Sequence, residues 1–449
     1  MNSIDTNFPS NQSLSYSSNG RIAHSRVDPN HSLKQGIWIY FFLLIFEGAL
    51  RKWFLPALAT PLLIIRDPIA LWLLIMAWQR GKLTFNFNVA AIIFIGVVGT
   101  YTAVLVGHGS LLVAVYGARI LLFHFPLMYV IGRIFTREDI LKMGKTMLWL
   151  SAPMAVLITL QFYSPQSAWV NRGVGGDIAG AGFDGALGFF RPPATFSFTN
   201  GTHLFFGLAG LFVFYFWLES QTINRWLLIM ATVGLVISIP FSISRSLLQY
   251  VTVSFIFSFI AITQKPKHLS RLVFMTLGGV VAIAALSQTS FFNTAFEAFS
   301  TRFTTASEVE GGLEGSFGDR VLGGLKEPIV KSVEQPFFGY GLGLGTNAGG
   351  ALLSGGNRVF LIAEGEWGRL IGELGPIMGL TVIFIRLSLS IGLIITSYRK
   401  LVIGDLLPWM LVSYGFFIIP SAQWAQPTAL GFSTLIGGLI LASLSKHNE

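Results

Sequence analysis

Apolar runs long enough to cross a lipid bilayer recur along almost the whole of this chain. A helix needs about 20 such residues to cross the hydrocarbon core. The runs must be helical, because lipid offers no partner for exposed backbone N–H and C=O groups. Only 11% of the 449 residues are charged, against about a quarter in soluble domains. The sequence therefore predicts an all-α polytopic membrane protein.

About twelve transmembrane helices are predicted within a membrane domain of residues 36–445. The apolar runs are 36–55, 62–78, 89–106, 111–131, 146–162, 203–218, 226–241, 247–262, 272–286, 370–396, 406–419 and 430–444. Residues 1–35 are polar and rich in Ser and Asn, and they contain no early apolar core. This segment is predicted to be a disordered cytoplasmic tail rather than a cleaved signal peptide.

The positions of the basic residues predict the orientation. The connections with Lys or Arg are 79–82, 132–145, 264–271 and 398–400, and those without either are 57–60, 107–110 and 423–429. Basic connections stay in the cytoplasm, so both termini are expected there, in a bacterial inner membrane. The long stretches 164–202 and 287–368 are then periplasmic loops, a location that often carries function. This distribution accounts for the net charge of +9 without a nucleic-acid partner.

Three arginines fall on the predicted periplasmic face. Arg191 begins the sequence Arg-Pro-Pro-Ala-Thr-Phe-Ser-Phe-Thr-Asn, Arg245 lies in Ser-Ile-Ser-Arg-Ser, and Arg320 follows Gly-Asp. The rigid guanidinium fork suits bidentate phosphate binding and stays charged at any physiological pH. The three residues therefore predict a site for a diphosphate-linked lipid. The alternative is that each one anchors at the lipid headgroups or pairs with an acid.

Glycine-rich and arginine-containing motifs follow one another in a fixed order. After Arg191, Arg245 and Arg320 comes Pro-Phe-Phe-Gly-Tyr-Gly-Leu-Gly within residues 336–345. In this order, over most of residues 90–440, the chain resembles the O-antigen ligase and O-antigen polymerase superfamily. The 336–345 segment is similar to the P-x-x-G-x-G-x-G element of that family. Residues 47–53 (Glu-Gly-Ala-Leu-Arg-Lys-Trp) resemble a feature of an exopolysaccharide-associated branch.

This resemblance implies an inverting, metal-independent glycosyltransferase with the membrane-embedded C-type architecture and a large periplasmic loop. Such an enzyme transfers a glycan from undecaprenyl diphosphate to an acceptor hydroxyl at the periplasmic face, without a cofactor. Arg191, Arg245 and Arg320 would bind the diphosphate and stabilise the charge that develops on it. The implied partners are the donor, the acceptor and the bilayer, together with a chain-length regulator and export machinery.

The acceptor base is where the chain departs from the family pattern. The ligases carry a His-Asn-x-x-Leu element ahead of Glu-x-Gly, and here Glu373 begins the second element while Glu364 occupies the histidine position. A carboxylate can serve as general base when burial tunes its pKa. Glu364 and Glu366 are therefore the candidate catalytic residues. The alternative for Glu366 is a helix-surface ion pair with Arg369, three residues on.

Charges within the predicted spans are expected to have partners. Glu47 and Arg51 stand four residues apart, in the order that favours an ion pair on a helix. Arg119 and Arg386 lie deep within their runs, so both are expected to face the protein interior and to be paired there. His108 and His203 are interpreted as interfacial side chains, and no histidine–carboxylate spacing indicates a metal site.

Three functions remain open. The missing histidine favours a polymerase of lipid-linked repeat units over a ligase that transfers the glycan to a lipid or another acceptor. A transporter or flippase of lipid-linked oligosaccharide would predict internal repeats and broken helices near the midplane, and no pair of similar halves is evident. A receptor or a structural protein would leave the arginines on one face unexplained.

Overall fold

A computed structural model of the protein describes residues 28–219, 223–264, 269–309, 324–353 and 365–445. Ten of the described helices are long and apolar enough to cross a membrane. They are α1 (His31–Phe54), α2 (Pro56–Gln79), α3 (Phe87–Leu105), α4 (Leu111–Ile134), α5 (Arg137–Tyr163), α6 (Asn200–Leu218), α8 (Arg245–Gln264), α9 (Leu269–Leu286), α13 (Glu366–Val402) and α15 (Pro427–Leu444). The predicted fold class is thus confirmed: this is an all-α polytopic membrane protein.

Five further helices complete the described part. Two are shorter apolar helices, α7 (Arg225–Phe241) and α14 (Leu406–Ser421). The other three lie between α9 and α13: α10 (Ser290–Val309), α11 (Gly324–Val330) and α12 (Asn347–Leu353). Short 3-10 turns occupy Pro56–Leu58, Trp169–Asn171 and Lys331–Glu334, and π-helical turns end α1 at Leu50–Phe54 and interrupt α4 at Ile120–His124.

Every predicted apolar run coincides with a helix, but several helices begin earlier than the run does. The first begins at His31 rather than at residue 36, and α5 begins at Arg137 rather than at residue 146. The first turns of α5 are polar and are stabilised by a capping box between Thr136 and Asp139. Hydropathy detects only the apolar core of a helix, whereas capping determines where the helix starts.

Hydrogen bonds and ion pairs join the segments that connect the helices, at each of the two ends of the bundle. At one end, called here the basic end, Arg80 donates to the Pro29 carbonyl at 2.8 Å, and Lys34 pairs with Asp139 at 2.8 Å. Arg137 pairs with Asp405 there at 2.7 Å. These contacts join segments that the positive-inside rule places on a single side, the cytoplasm.

The opposite end, called here the site end, joins the segments predicted to be periplasmic. Arg66 Nη2 donates to the Pro427 carbonyl at 2.6 Å, and Arg51 Nη1 donates to Ser197 Oγ at 2.9 Å. His108 Nε2 lies 3.1 Å from the Leu342 carbonyl oxygen. The folded chain therefore separates the two predicted sets of connections, one to each end.

Helix α6 lies at the centre of the bundle. Its apolar window is 89% buried, against 33% for α3 and 0% for α9. A helix that is apolar on all sides, as α6 is, can be buried on all sides. Because α6 starts at the site end, its first turn lies among packed helices rather than at their edge.

The two long stretches between helices are partly ordered at the site end. Strands β1 (Phe183–Ala186) and β2 (Phe189–Arg191) form an antiparallel hairpin within the 164–202 stretch. Arg302 on α10 donates to the Gly185 carbonyl of this hairpin at 3.0 Å. The 287–368 stretch, predicted only as a loop, thus contains three helices, and the first of them lies against the hairpin.

Candidate functional site

Arg191 is the last residue of the hairpin. Its Nε donates to the Asp184 carbonyl at 3.2 Å, and its guanidinium carbon lies 4.6 Å from the centre of the Phe183 ring. Phe183 and Arg191 are cross-strand partners in the hairpin. The two contacts orient the half-buried guanidinium group along the hairpin.

Arg245 is the first residue of α8. Ser244 precedes it, and the Ser244 hydroxyl accepts a hydrogen bond from the Leu247 N–H at 3.4 Å, which caps the helix. The first N–H groups of a helix have no partner within the helix, and the helix dipole favours an anion beside them. A guanidinium group at this position adds full positive charge to a terminus that already favours phosphate.

The segments that carry Arg191 and Arg245 pack against each other. A Cβ placed on Gly185 in the hairpin would lie 2.7 Å from Cδ1 of Ile243, two residues before Arg245. Thr202, beside His203 on the first turn of α6, donates its hydroxyl to the Pro192 carbonyl at 2.8 Å. The His203 ring lies 6.0 Å from that of Tyr250 on α8. The structure therefore brings together two of the three predicted phosphate-binding segments.

Arg320 and Glu364 lie outside the described residues. Their predicted roles in diphosphate binding and acceptor activation stay predictions.

Backbone strain is concentrated in the same two segments. In the described part of the chain, the non-glycine residues with positive φ are Leu187 at 54°, Ala194 at 53° and Ile243 at 45°. Each stands within four residues of Arg191 or Arg245. Such conformations cost about 1–3 kcal/mol each and cluster at binding and catalytic sites. No pattern in the sequence indicated them, because none of the three residues is a type that favours this conformation.

The chain that follows Arg191 packs against residues 47–53. A Cβ at Gly48 would overlap the backbone of residues 195–197, so only glycine permits this approach. Thr195 Oγ1 donates to the Ile45 carbonyl at 2.6 Å, and Lys52 Nζ donates to the Ala194 carbonyl at 2.7 Å. The 47–53 segment thus has a structural role beside Arg191.

A buried cluster of charges adjoins this segment. Glu47 pairs with Arg51 at 3.4 Å and with Arg66 at 3.1 Å. Asp67 accepts two hydrogen bonds from Arg119 Nη1, both at 2.9 Å. The predicted Glu47–Arg51 pair and the predicted pairing of Arg119 are confirmed.

Basic groups outnumber acids in this cluster. The cations are Arg51, Arg66 and Arg119, the acids are Glu47 and Asp67, and the buried amine of Lys52 lies next to Arg51 in the chain. Asp67 also lies 2.9 Å from His124 Nε2, whose other ring nitrogen is 3.0 Å from the Tyr40 hydroxyl. The two π-helical turns of the described chain contain or adjoin these residues. Single π-helical turns within α-helices often occur at functional sites. The surplus of positive charge makes the site end favourable for an anion.

Glu366 belongs to a second buried network. Its carboxylate pairs with Arg369 at 2.9 Å and with Arg386, and it accepts the Trp424 N–H at 3.1 Å. Arg369 also pairs with Glu373 at 2.6 Å. Arg386 is thus paired, as predicted for a charge deep within a span. The predicted alternative for Glu366, a pair with Arg369, is present, but it is buried rather than on the helix surface.

This arrangement constrains any catalytic role of Glu366. Its side chain is 1% exposed, and both carboxylate oxygens accept bonds from buried donors. To take a proton from an acceptor hydroxyl, the carboxylate would have to give up one of these donors. The role of Glu366 as general base stays a prediction, and the described geometry favours an ion-pair role.

The glycine-rich 336–345 segment packs on a break in α13. The 37-residue helix is interrupted at Gly375, where φ is 79°, and Pro376 follows. Proline has no N–H, so the Gly372 carbonyl loses its helical partner. Tyr340 N–H donates to this carbonyl at 2.7 Å, and Gly341 N–H donates to the Glu373 carbonyl at 3.1 Å. The segment therefore satisfies backbone groups that the break exposes, which a buried chain requires.

Substitution at the break should be costly. A Cβ at Gly375 would overlap the Phe337 carbonyl, and its φ disfavours any residue with a side chain. We expect Gly375→Ala to destabilise the protein by about 2–4 kcal/mol, measured as thermal unfolding in detergent. Gly392→Ala in the same helix is the matched control, because nothing lies within 4 Å of a Cβ there. Equal unfolding temperatures for the two variants would contradict this account of the break.

Comparison with known proteins adds no identification. No protein-family model matches the chain, and no curated protein matches it. Within the described ranges, no group of three or more His, Cys, Asp or Glu side chains is arranged to hold a metal ion. The site is therefore defined by its own geometry: two arginine-bearing segments, strained and in mutual contact, at one end of a polytopic helical bundle.

Proposed function

We propose that this protein is a glycosyltransferase of the bacterial inner membrane that polymerises undecaprenyl-diphosphate-linked oligosaccharide units into a surface polysaccharide or exopolysaccharide. The observation that supports this most is the meeting of the Arg191 and Arg245 segments at the site end, between the first turns of α6 and α8. A diphosphate carries the negative charge that such a surface favours.

The proposed reaction is a single displacement with inversion. An acceptor hydroxyl attacks the anomeric carbon of the donor sugar, and the bond between that carbon and the diphosphate oxygen breaks. The electron pair leaves with the diphosphate, and the hydroxyl proton passes to a base, for which Glu364 and Glu366 are the candidates. Arg191 and Arg245, with Arg320, stabilise the departing charge, which is the largest contribution a preorganised site can make.

The proposal includes an orientation. In the proposed topology the ten long helices and the two shorter apolar helices, α7 and α14, all cross the membrane, which makes twelve spans. An even number places both termini on one side, and the basic end is assigned to the cytoplasm by the positive-inside rule. The site end then faces the periplasm, with the isoprenoid of the donor remaining in the bilayer and its diphosphate at the level of Arg191 and Arg245.

A chromosomal deletion complemented with the wild-type gene tests the reaction class. We expect the deletion strain to lose long polysaccharide and to accumulate single lipid-linked repeat units on the periplasmic side. Repeat units retained on the cytoplasmic side would instead identify a transporter. Polymer of normal length that stays on the lipid carrier, without reaching its final acceptor, would identify a ligase.

A further inference from the structure

Ala194 is held by two buried side chains from other helices. Its N–H donates to Gln161 Oε1 at 2.8 Å. Its carbonyl accepts from Lys52 Nζ at 2.7 Å and from Gln161 Nε2 at 3.2 Å. Lys52 is 1% exposed and Gln161 is 2% exposed. Both backbone groups of this one residue are therefore bonded to side chains of α1 and α5.

The conformation that these bonds hold is an unfavourable one. Ala194 has φ of 53°, in the left-handed region where its Cβ crowds the backbone. A residue stays in such a conformation only when its surroundings determine it strongly. The Lys52 amine and a side-chain amide that bonds to both the N–H and the carbonyl of Ala194 hold it there with three buried hydrogen bonds, and breaking a bond of this kind leaves a buried polar group unsatisfied.

Two prolines connect Ala194 to Arg191. Pro192 and Pro193 each have φ fixed by the ring, and each also restricts the residue before it. The Thr202 hydroxyl on α6 additionally donates to the Pro192 carbonyl at 2.8 Å. Because the chain between the two residues is stiff, a change in the conformation of Ala194 would also move Arg191 and disturb its contacts in the hairpin.

We propose that Lys52 and Gln161 are positioning residues: by holding Ala194 in its left-handed conformation, they place the Arg191 guanidinium group where a diphosphate binds. The chemical purpose rests on the proposed function, whereas the placement of Arg191 does not. This assigns a role to Lys52, a buried amine that donates to a backbone carbonyl.

The placement is tested first without any activity assay. The chain has no cysteine, so Arg191→Cys introduces a single thiol that reports on this position. We expect Lys52→Met and Gln161→Leu each to change the rate at which a charged maleimide labels this thiol in membranes, by about threefold or more. Lys142→Met, which removes an exposed lysine at the basic end, should leave the rate unchanged. Unchanged rates in both test variants would overturn the proposal.

A conservative variant separates positioning from folding. Lys52→Arg keeps an N–H donor to the Ala194 carbonyl, and we expect it to retain the wild-type labelling rate. Ala194→Gly, combined with Lys52→Met, should restore the rate in part, because glycine adopts positive φ without strain. If Lys52→Met, Gln161→Leu and Lys52→Arg were all scarce in membranes, these side chains would serve folding alone and the proposal would be wrong.

The activity assay then joins the placement to the chemistry. We expect Lys52→Met to lower kcat/KM about tenfold, mainly through kcat, because the group that it positions stabilises charge in the transition state. In an Arg191→Ala background the same substitution should have no further effect. If the losses of activity from Lys52→Met and Arg191→Ala added up in the double variant, the positioning role of Lys52 would be wrong, while the proposed function would stand. Full activity in Arg191→Ala would instead contradict the proposed site, while the labelling rates still decide whether Lys52 positions residue 191.

Discussion

Membranes that carry Arg191→Ala or Arg245→Ala are expected to polymerise lipid-linked repeat units at least about a hundredfold more slowly than wild-type membranes. One preorganised donor to a developing negative charge is typically worth about two to three orders of magnitude in kcat. Both arginines lie in strained segments that contact each other. We therefore expect that no neighbouring side chain takes over the role of a removed arginine. Conversion of a labelled lipid-linked unit to polymer, normalised to the amount of protein in the membrane, measures the effect.

The matched control is Arg225→Ala. Like Arg245, Arg225 is the first residue of a helix, but it is exposed and belongs to the opposite end of the bundle. We expect this variant to have wild-type activity. Arg191→Lys should recover only part of the rate, because lysine provides a point charge and not a bidentate fork. Normal polymer from both alanine variants at normal abundance would exclude the proposed site.

The Arg386→Leu variant is expected to lose about 3–5 kcal/mol of stability, the usual cost of leaving one member of a buried ion pair without its partner. Arg386 is 0% exposed; its guanidinium group pairs with Glu366 and lies 3.9 Å from the centre of the Trp424 ring. Its removal leaves Glu366 and Glu373 with Arg369 as the one remaining cation of this network. Thermal unfolding in detergent, followed by tryptophan fluorescence, measures the loss.

A double substitution tests whether the charge balance is the cause. Glu366→Leu combined with Arg386→Leu leaves the Arg369–Glu373 pair balanced, so we expect this variant to be more stable than Arg386→Leu alone. Lys331→Leu is the control, because the Lys331–Glu327 pair is exposed and its loss should not be measurable. If Glu366→Leu alone kept its stability and lost activity, Glu366 would be the general base and not an ion-pair residue.

Several features of the fold could be predicted from local sequence. Each apolar run coincides with a helix, because the bilayer requires every spanning segment to satisfy its own backbone. The connections with Lys or Arg and those without either lie at opposite ends of the folded chain, and which end faces the cytoplasm stays a prediction. The sequence also predicts the Glu47–Arg51 pair, and it predicts that Arg119 is paired, because a charge within a span cannot remain unpaired, but it does not indicate Asp67 as the partner of Arg119.

The arrangement of the site depends on contacts between distant residues. Lys52 bonds to Ala194 across 142 positions, and the Trp424 N–H bonds to Glu366 across 58. Hydropathy and helical spacing report only on neighbours, so they indicated neither contact. The sequence of the 336–345 segment indicates only a glycine-rich motif, and the break at Gly375 shows which carbonyls accept the N–H groups of Tyr340 and Gly341.

The sequence by itself determined the class of protein and its helices, because the cost of an unpaired backbone group in lipid leaves the chain no other choice. The tertiary structure decided the rest. It buried Glu366 between two arginines, placed the 47–53 segment under the chain that follows Arg191, and forced Ala194 into positive φ. These outcomes follow from how the helices pack against one another, and packing depends on residues that are far apart in the sequence.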